Sequence, residues 1–132
     1  MSTRPKILVA DDDRDIVTLV AWALQDAGYA TVEAQDGLEA LRMTVQQDPD
    51  LLVLDLGMPG LEGDAVFRIL RARGAETAPP VIFLTAKASA KDRAAGLTMG
   101  AADYMIKPFD VAELVARVGN MLARSGAPAL SG

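Results

Sequence analysis

The chain reads as a parallel α/β domain, and three observations predict it. Short apolar runs alternate five times with segments of helical periodicity, the pattern of β-α units whose strands lie side by side in one direction. Leu51-Leu52-Val53-Leu54 is apolar without alternation, as a strand buried on both faces must be. It stops at Asp55, and Gly57 and Pro59 then turn the chain away. A carboxylate therefore stands at the carboxyl end of a central strand, the edge where open α/β sheets bind ligands.

The elements follow in order. Strand one is Lys6 to Ala10. In the first helix Ile16, Leu19, Val20, Ala23, Leu24 and Ala27 recur at helical spacing, and Gly28 stops it. Ala30 to Ala34 is weak and alternating, which places it at an edge of the sheet. A second helix follows Asp36-Gly37, is expected to turn Leu38, Leu41 and Val45 inward, and ends before Pro49. A third, from about Asp64 to Arg73, is expected to bury Val66, Ile69 and Leu70; Gly74 to Pro80 is a loop and Val81 to Leu84 the fourth strand. A fourth helix, about Ser89 to Thr98, is alanine-rich with Leu97 as its large inward residue, so it is the least firmly anchored. Asp103 to Ile106 is the fifth strand. Asp110 and Glu113 stand at capping-box spacing before the last helix, which presents Leu114, Val115, Val118, Met121 and Leu122. The domain is expected over residues 1–124, with 125–132 a flexible tail or linker stub.

Composition narrows the function. One domain is the natural count for 132 residues, enough to bury roughly 68% of the unfolded surface. An apolar content of 51% and a mean hydropathy of +0.20 suit a compact core. No apolar run approaches the roughly 18 residues of a membrane span. The basic start at Arg4 and Lys6 precedes only Ile7 to Ala10 before Asp11, below the roughly 7–15 apolar residues of a signal peptide. The cytoplasm is the expected compartment, and the absence of cysteine agrees with it while excluding disulfides, thiol catalysis and sulfur-ligated metal. A net charge of −5 and a pI near 4.6 argue against nucleic-acid binding by this chain alone. There is no histidine, so any phosphohistidine or imidazole base must come from a partner.

Three strands end in polar residues: Ala10 meets Asp11-Asp12-Asp13, Leu54 meets Asp55, and Leu84 meets Thr85. Right-handed crossovers bring these ends to one sheet edge. Helix capping explains one of the three aspartates, with Asp13 the candidate. Two carboxylates about 5 Å apart repel by roughly 3 kcal/mol at an effective dielectric near 20. Gathering three therefore calls for a cation, and hard oxygen ligands suit Mg²⁺ with retained waters. Lys107, in Ile106-Lys107-Pro108-Phe109, would otherwise be a solvated charge; beside Asp55 it supplies positive charge for phosphate oxygens. Thr85 is either a plain β-branched strand residue or a hydroxyl donor to those oxygens. A carboxylate in such a set can form an acyl phosphate. No group stands out as a base for activating water, which favours stable phosphorylation over turnover. Phe109, Trp22 and Met43 read as packing or scattered surface residues.

Taken together, Ile7-Leu8-Val9-Ala10-Asp11-Asp12-Asp13, Leu54-Asp55-Leu56-Gly57-Met58-Pro59-Gly60, Leu84-Thr85-Ala86 and Lys107-Pro108-Phe109 resemble the receiver domain of two-component response regulators, from Lys6 to about Arg124. The resemblance implies a flavodoxin-like, doubly wound five-stranded parallel sheet of order 2-1-3-4-5 with five helices. It implies that Asp55 is the phosphoacceptor, that Asp11 and Asp12 form the acidic pair, and that Asp12, Asp55 and the Gly57 carbonyl hold Mg²⁺, or Mn²⁺ in its place. Thr85 and Lys107 would contact the phosphoryl group, and Tyr104 would be the switch aromatic. A cis Lys107–Pro108 bond is implied as well. Gly57 and Lys87 stand at the two positions that tune dephosphorylation. The donor would be a sensor histidine kinase or a phosphotransfer protein.

Gly96 to Tyr104 with Glu113 to Arg117 is closest to the subfamily that drives winged-helix DNA-binding domains. There Arg93, Asp103, Glu113 and Arg117 would pair across a weak, phosphorylation-favoured homodimer; as isolated residues they are ordinary surface charges. Two other classes share parts of this pattern. A haloacid-dehalogenase-like phosphatase needs an aspartate two residues after the first, where this chain has Gly57. A phosphorylation-independent pseudo-receiver would typically lack the acidic pair or Lys107, and both are present.

Overall fold

A computed structural model describes residues 4–74, 78–86 and 102–125. Five parallel strands form one sheet in the order β2-β1-β3-β4-β5. They are β1 (Lys6–Ala10), β2 (Ala30–Ala34), β3 (Leu51–Asp55), β4 (Val81–Thr85) and β5 (Ala102–Ile106). The helices among the described residues are α1 (Arg14–Asp26), α2 (Gly37–Gln47), α3 (Gly63–Arg73) and α4 (Val111–Ser125). The fold is the flavodoxin-like one implied by the resemblance. The helix expected at about Ser89 to Thr98, with Lys87, Arg93 and Leu97, lies outside the described residues, as does the tail beyond Ser125. No helix among the described residues is long and apolar enough to cross a membrane.

The sheet divides two cores, and the unbroken apolar runs of β1, β3 and β4 follow from serving both. Ile7, Val9, Leu51, Val53, Ile82 and Leu84 face α1 and α4, where Val17, Val20, Leu24, Leu114, Val118 and Met121 close the first core. Leu8, Ala10, Leu52, Leu54, Val81 and Phe83 face α2 and α3. Each fully buried side chain of this size contributes about 1.5–3 kcal/mol. β2, at an edge, is only partly buried, as its weak alternation predicts.

Three helices depart from the face that hydropathy suggests. In α2 the buried residues are Gly37, Ala40 and Thr44, while Leu38 and Val45 are exposed. Both triplets have helical spacing, one residue or about 100° apart. Close packing decides between them: the first turn lies directly against the backbone of Leu61, where a leucine does not fit. Thr44 is tolerated inside because its hydroxyl donates to the Ala40 carbonyl at 2.7 Å. In α1 the buried face is Val17, Val20, Ala21 and Leu24, with Leu19 and Trp22 outward. In α3, Phe67 takes the inward place expected of Ile69, which is exposed. Phe67 stacks edge-on against Phe83 of β4 at 5.7 Å, an aromatic contact across the helix–sheet interface that aliphatic Ile69 cannot match. α4 buries Leu114, Val118, Met121 and Leu122 with Val115 packed beside them, as its periodicity requires.

Candidate functional site

Sheet register builds the site. Ala10 pairs with Leu54, so the next residues on β1 and β3, Asp11 and Asp55, stand side by side. Asp55 pairs with Leu84 and Thr85 with Ile106, so Thr85 and then Lys107 follow one step further along the same edge. Right-handed crossovers bring every one of these ends to the carboxyl side. Asp13 is the N-cap of α1, accepting from the Asp15 and Ile16 amides; this leaves Asp11 and Asp12 for other work.

Asp11 and Asp12 divide that work by burial. Asp11 is wholly buried and Asp12 is exposed. Asp11 Oδ1 accepts the Asp13 amide at 2.9 Å. Its Oδ2 lies 2.8 Å from Lys107 Nζ as an ion pair, yet no well-aligned hydrogen bond satisfies it. Lys107 Nζ is 3.5 Å from Asp55 Oδ1. The sequence places Lys107 beside Asp55; the structure puts it nearer Asp11. Asp55 Oδ1 also accepts the Gly57 amide at 3.2 Å. The Lys107–Pro108 peptide is cis.

Among the described residues, three carboxylates share one ammonium, and the electrostatics follow. Burial raises the Asp55 pKa from 3.8 to about 6; the Gly57 amide opposes this, Asp11's charge adds to it, and Lys107 opposes it. Burial alone would lower the Lys107 pKa, but its contact with Asp11 and the charges of Asp55 and Asp11 hold it above the ordinary lysine value.

Carboxylate oxygens of Asp11, Asp12 and Asp55 all lie within 4.8 Å of one another. An all-oxygen donor set, an excess of negative charge and a buried oxygen without an aligned partner fit a small hard divalent cation. Thr85 is buried at the adjacent strand end. Tyr104 is half-buried on β5, its ring 5.4 Å from that of Phe83, so an aromatic row runs from Tyr104 through Phe83 to Phe67. Nothing in the sequence spacing points to that row.

Residues 7–119 match the Response regulator receiver domain family. The chain belongs to that family. This receiver domain is 46% identical to the transcriptional regulatory protein PrrA of Mycobacterium tuberculosis over 129 residues, 98% of this chain and 54% of that protein. It is 45% identical to the alkaline phosphatase synthesis transcriptional regulatory protein PhoP of Bacillus subtilis over 91% of this chain and 49% of that one. The chain thus spans about half the length of the curated relatives it matches. Among solved structures it is similar to a Francisella response regulator receiver domain, with a TM-score of 0.84, 38% identity, and coverage of 92% of this chain and 99% of that one. Chemotaxis response regulator CheY4 of Vibrio cholerae gives 0.82 at 30% identity, covering 90% and 99%. Receiver domains are the phosphoacceptors of two-component systems; they bind Mg²⁺ through acidic residues and meet histidine kinases or phosphotransfer proteins. The relatives' names as transcriptional regulators agree with the expected likeness to the DNA-binding subfamily.

A separate cluster lies beyond the sheet edge. Arg117 reaches Asp103 and Glu113 at 3.1 Å each and donates to the Tyr104 carbonyl at 3.0 Å. With Tyr104, Ile106 and Phe109 these residues line a groove of about 480 Å³. Three of the four charges expected to pair between protomers are therefore paired within one chain, and Arg93 lies outside the described residues.

Proposed function

We propose that Asp55 is the phosphoacceptor of this receiver domain, and that the remaining strand-end groups hold the phosphoryl oxygens and the cation. One observation carries this: the Asp55 carboxylate is fixed within 4.8 Å of Asp11 and Asp12 oxygens and 3.5 Å from Lys107. With a pKa raised only to about 6, Asp55 is mostly ionised at neutral pH and is competent as a nucleophile. A carboxylate oxygen attacks phosphorus as the P–N bond to the partner's phosphohistidine breaks, and the imidazole leaves with its electron pair. Asp12, Asp55 and the Gly57 carbonyl are the groups that would hold Mg²⁺, or Mn²⁺; when bound, the ion supplies positive charge to the phosphoryl oxygens. Buried Asp11 fixes Lys107, and Lys107 with Thr85 takes the remaining oxygens. Two residues past Asp55 stands Gly57, not a carboxylate, so the acyl phosphate is held as a signal and the chain is not a turnover enzyme.

Intact-mass spectrometry tests this. With acetyl phosphate and Mg²⁺ the wild type is expected to gain one phosphoryl group, and Asp55→Ala none. Asp12→Ala should keep the fold and lose most Mg²⁺ affinity, because a direct ligand is gone while like-charge repulsion is relieved. Labelling of Asp55→Ala, or no labelling of wild type with any donor, contradicts the assignment.

Phosphorylation is expected to draw Thr85 toward the phosphate and let Tyr104 turn, shifting a two-state equilibrium in the face around β5 and α4. A phosphorylation-favoured homodimer would form there by exchanging the internal Arg117 pairs for intermolecular ones. Half-exposed pairs are worth only about 0.2–1 kcal/mol each, and exchange returns little net gain, so the dimer should be weak and salt-sensitive. Light scattering at micromolar concentration, with and without a beryllium fluoride mimic, should show mass rising only with the mimic and falling again in Arg117→Glu. A mimic-bound protein that stays monomeric removes this face from the mechanism.

A further inference from the structure

We infer that the turn between β2 and α2, which places no side chain in the site, sets the width of the cation cage, with Gly37 as its positioning residue. The inference rests on the cation reading above. Two loops must be held at a fixed separation: the one carrying Asp11 and Asp12, and the one from Leu56 to Glu62 carrying Gly57. Both are tied to the same turn. The Asp11 amide donates to the carbonyl of Ala34, the last residue of β2, at 3.3 Å. Three residues on, Gly37 opens α2 against the far side of the Gly57 loop. A Cβ on Gly37 would overlap the Leu61 carbonyl oxygen and lie 2.7 Å from both the Leu61 carbonyl carbon and its Cβ. The obstacle is backbone, so it cannot be relieved by a rotamer change.

The loop cannot retreat freely either. At its other end Gly63 is seated on the Asp55 carbonyl oxygen, 2.5 Å from where its own Cβ would be, and the Gly63 amide reaches the Leu56 carbonyl at 3.4 Å. The turn itself is fixed: Asp36 Oδ1 accepts the Glu39 amide at 2.8 Å, and the Gln35 amide donates to Glu39 Oε1 at 3.2 Å, a reciprocal cap that holds the first turn of α2. Added bulk at Gly37 must therefore push Leu56–Glu62 relative to Asp11 and Asp12, displacing the Gly57 carbonyl from the oxygens it works with. Supporting groups of this kind are typically worth about 10–100-fold in metal affinity.

Calorimetric titration of Mg²⁺, well below the melting range, is the test. Gly37→Ala is expected to raise the Mg²⁺ Kd about tenfold. Val118→Ala, a cavity in the opposite core, should lower the melting temperature while leaving Kd unchanged, which separates positioning from general loss of stability. If Gly37→Ala does not fold, Asp36→Ala carries the test: loosening the cap should weaken Mg²⁺ binding, and Asp36→Asn, which keeps an acceptor but not the charge, should restore it. Wild-type Kd in folded Gly37→Ala, or in Asp36→Ala, overturns the inference while leaving the cation reading intact. A wild type that binds no Mg²⁺ overturns both.

Discussion

Lys107→Met is expected to destabilise the metal-free protein by about 3 kcal/mol at pH 7.5, the lower end of the cost of removing one partner from a buried ion pair. Asp11 is wholly buried and has Lys107 Nζ 2.8 Å from its Oδ2. Taking the ammonium away removes the one cation that the described residues place beside Asp11 and Asp55. Methionine keeps the length of the stem, so the loss is chiefly of charge. The deficit should shrink at pH 5, because Asp55, whose pKa the Lys107 charge holds down, takes up a proton more readily in the native state without it. Mg²⁺ should stabilise the variant more than the wild type, since it replaces the missing charge. Urea unfolding measures all three effects, and the midpoint at pH 7.5 should fall by more than about 1 M. A variant as stable as wild type at pH 7.5 would show that Asp11 does not depend on Lys107.

Asp55→Asn should do the opposite. Burial raises the Asp55 pKa from 3.8 to about 6, so the native state binds a proton that the unfolded chain releases between those values. Where the native state holds more protons, stability falls as pH rises. Asp55's favourable contribution is thus complete below about pH 4 and is lost as pH climbs through 6. Above that, the wild type carries a charge its site disfavours and Asn carries none. Two pKa units would convert to about 3 kcal/mol, but the site opens at the sheet edge and water screens part of it, so a gain of about 1–2 kcal/mol at pH 7.5 is expected. The advantage should vanish near pH 4. Saturating Mg²⁺ should reverse it, because the ion favours the ionised carboxylate that Asn lacks. Thermal melts from pH 4 to 8 decide the matter, and an advantage that grows toward low pH would falsify the burial argument.

Much of this molecule is legible in the residues. The unbroken apolar runs of β1, β3 and β4 announce a sheet with two cores, and every strand lies within a residue of its expected bounds. Asp11, Asp12, Asp55, Thr85 and Lys107 are identifiable as strand-end groups because chain connectivity alone brings parallel strand ends to one edge. Asp13 caps α1 as its position suggests. These features depend on order along the chain and on short-range periodicity, which a sequence states directly.

What only the tertiary structure decided depends on distances between segments far apart in the chain. Helical periodicity in α2 allows two faces about 100° apart, and contact with Leu61 chose Gly37, Ala40 and Thr44 over Leu38 and Val45. Phe67 displaced Ile69 because Phe83 waits opposite it on β4. Lys107 lies closer to Asp11 than to Asp55, and the burial that separates Asp11 from its exposed neighbour Asp12 has no signature in a run of identical residues. Arg117 holds Asp103 and Glu113 within its own chain, whereas spacing shows only that all three share a surface. Each outcome turns on steric fit or charge at a few ångströms, which the order of residues does not contain.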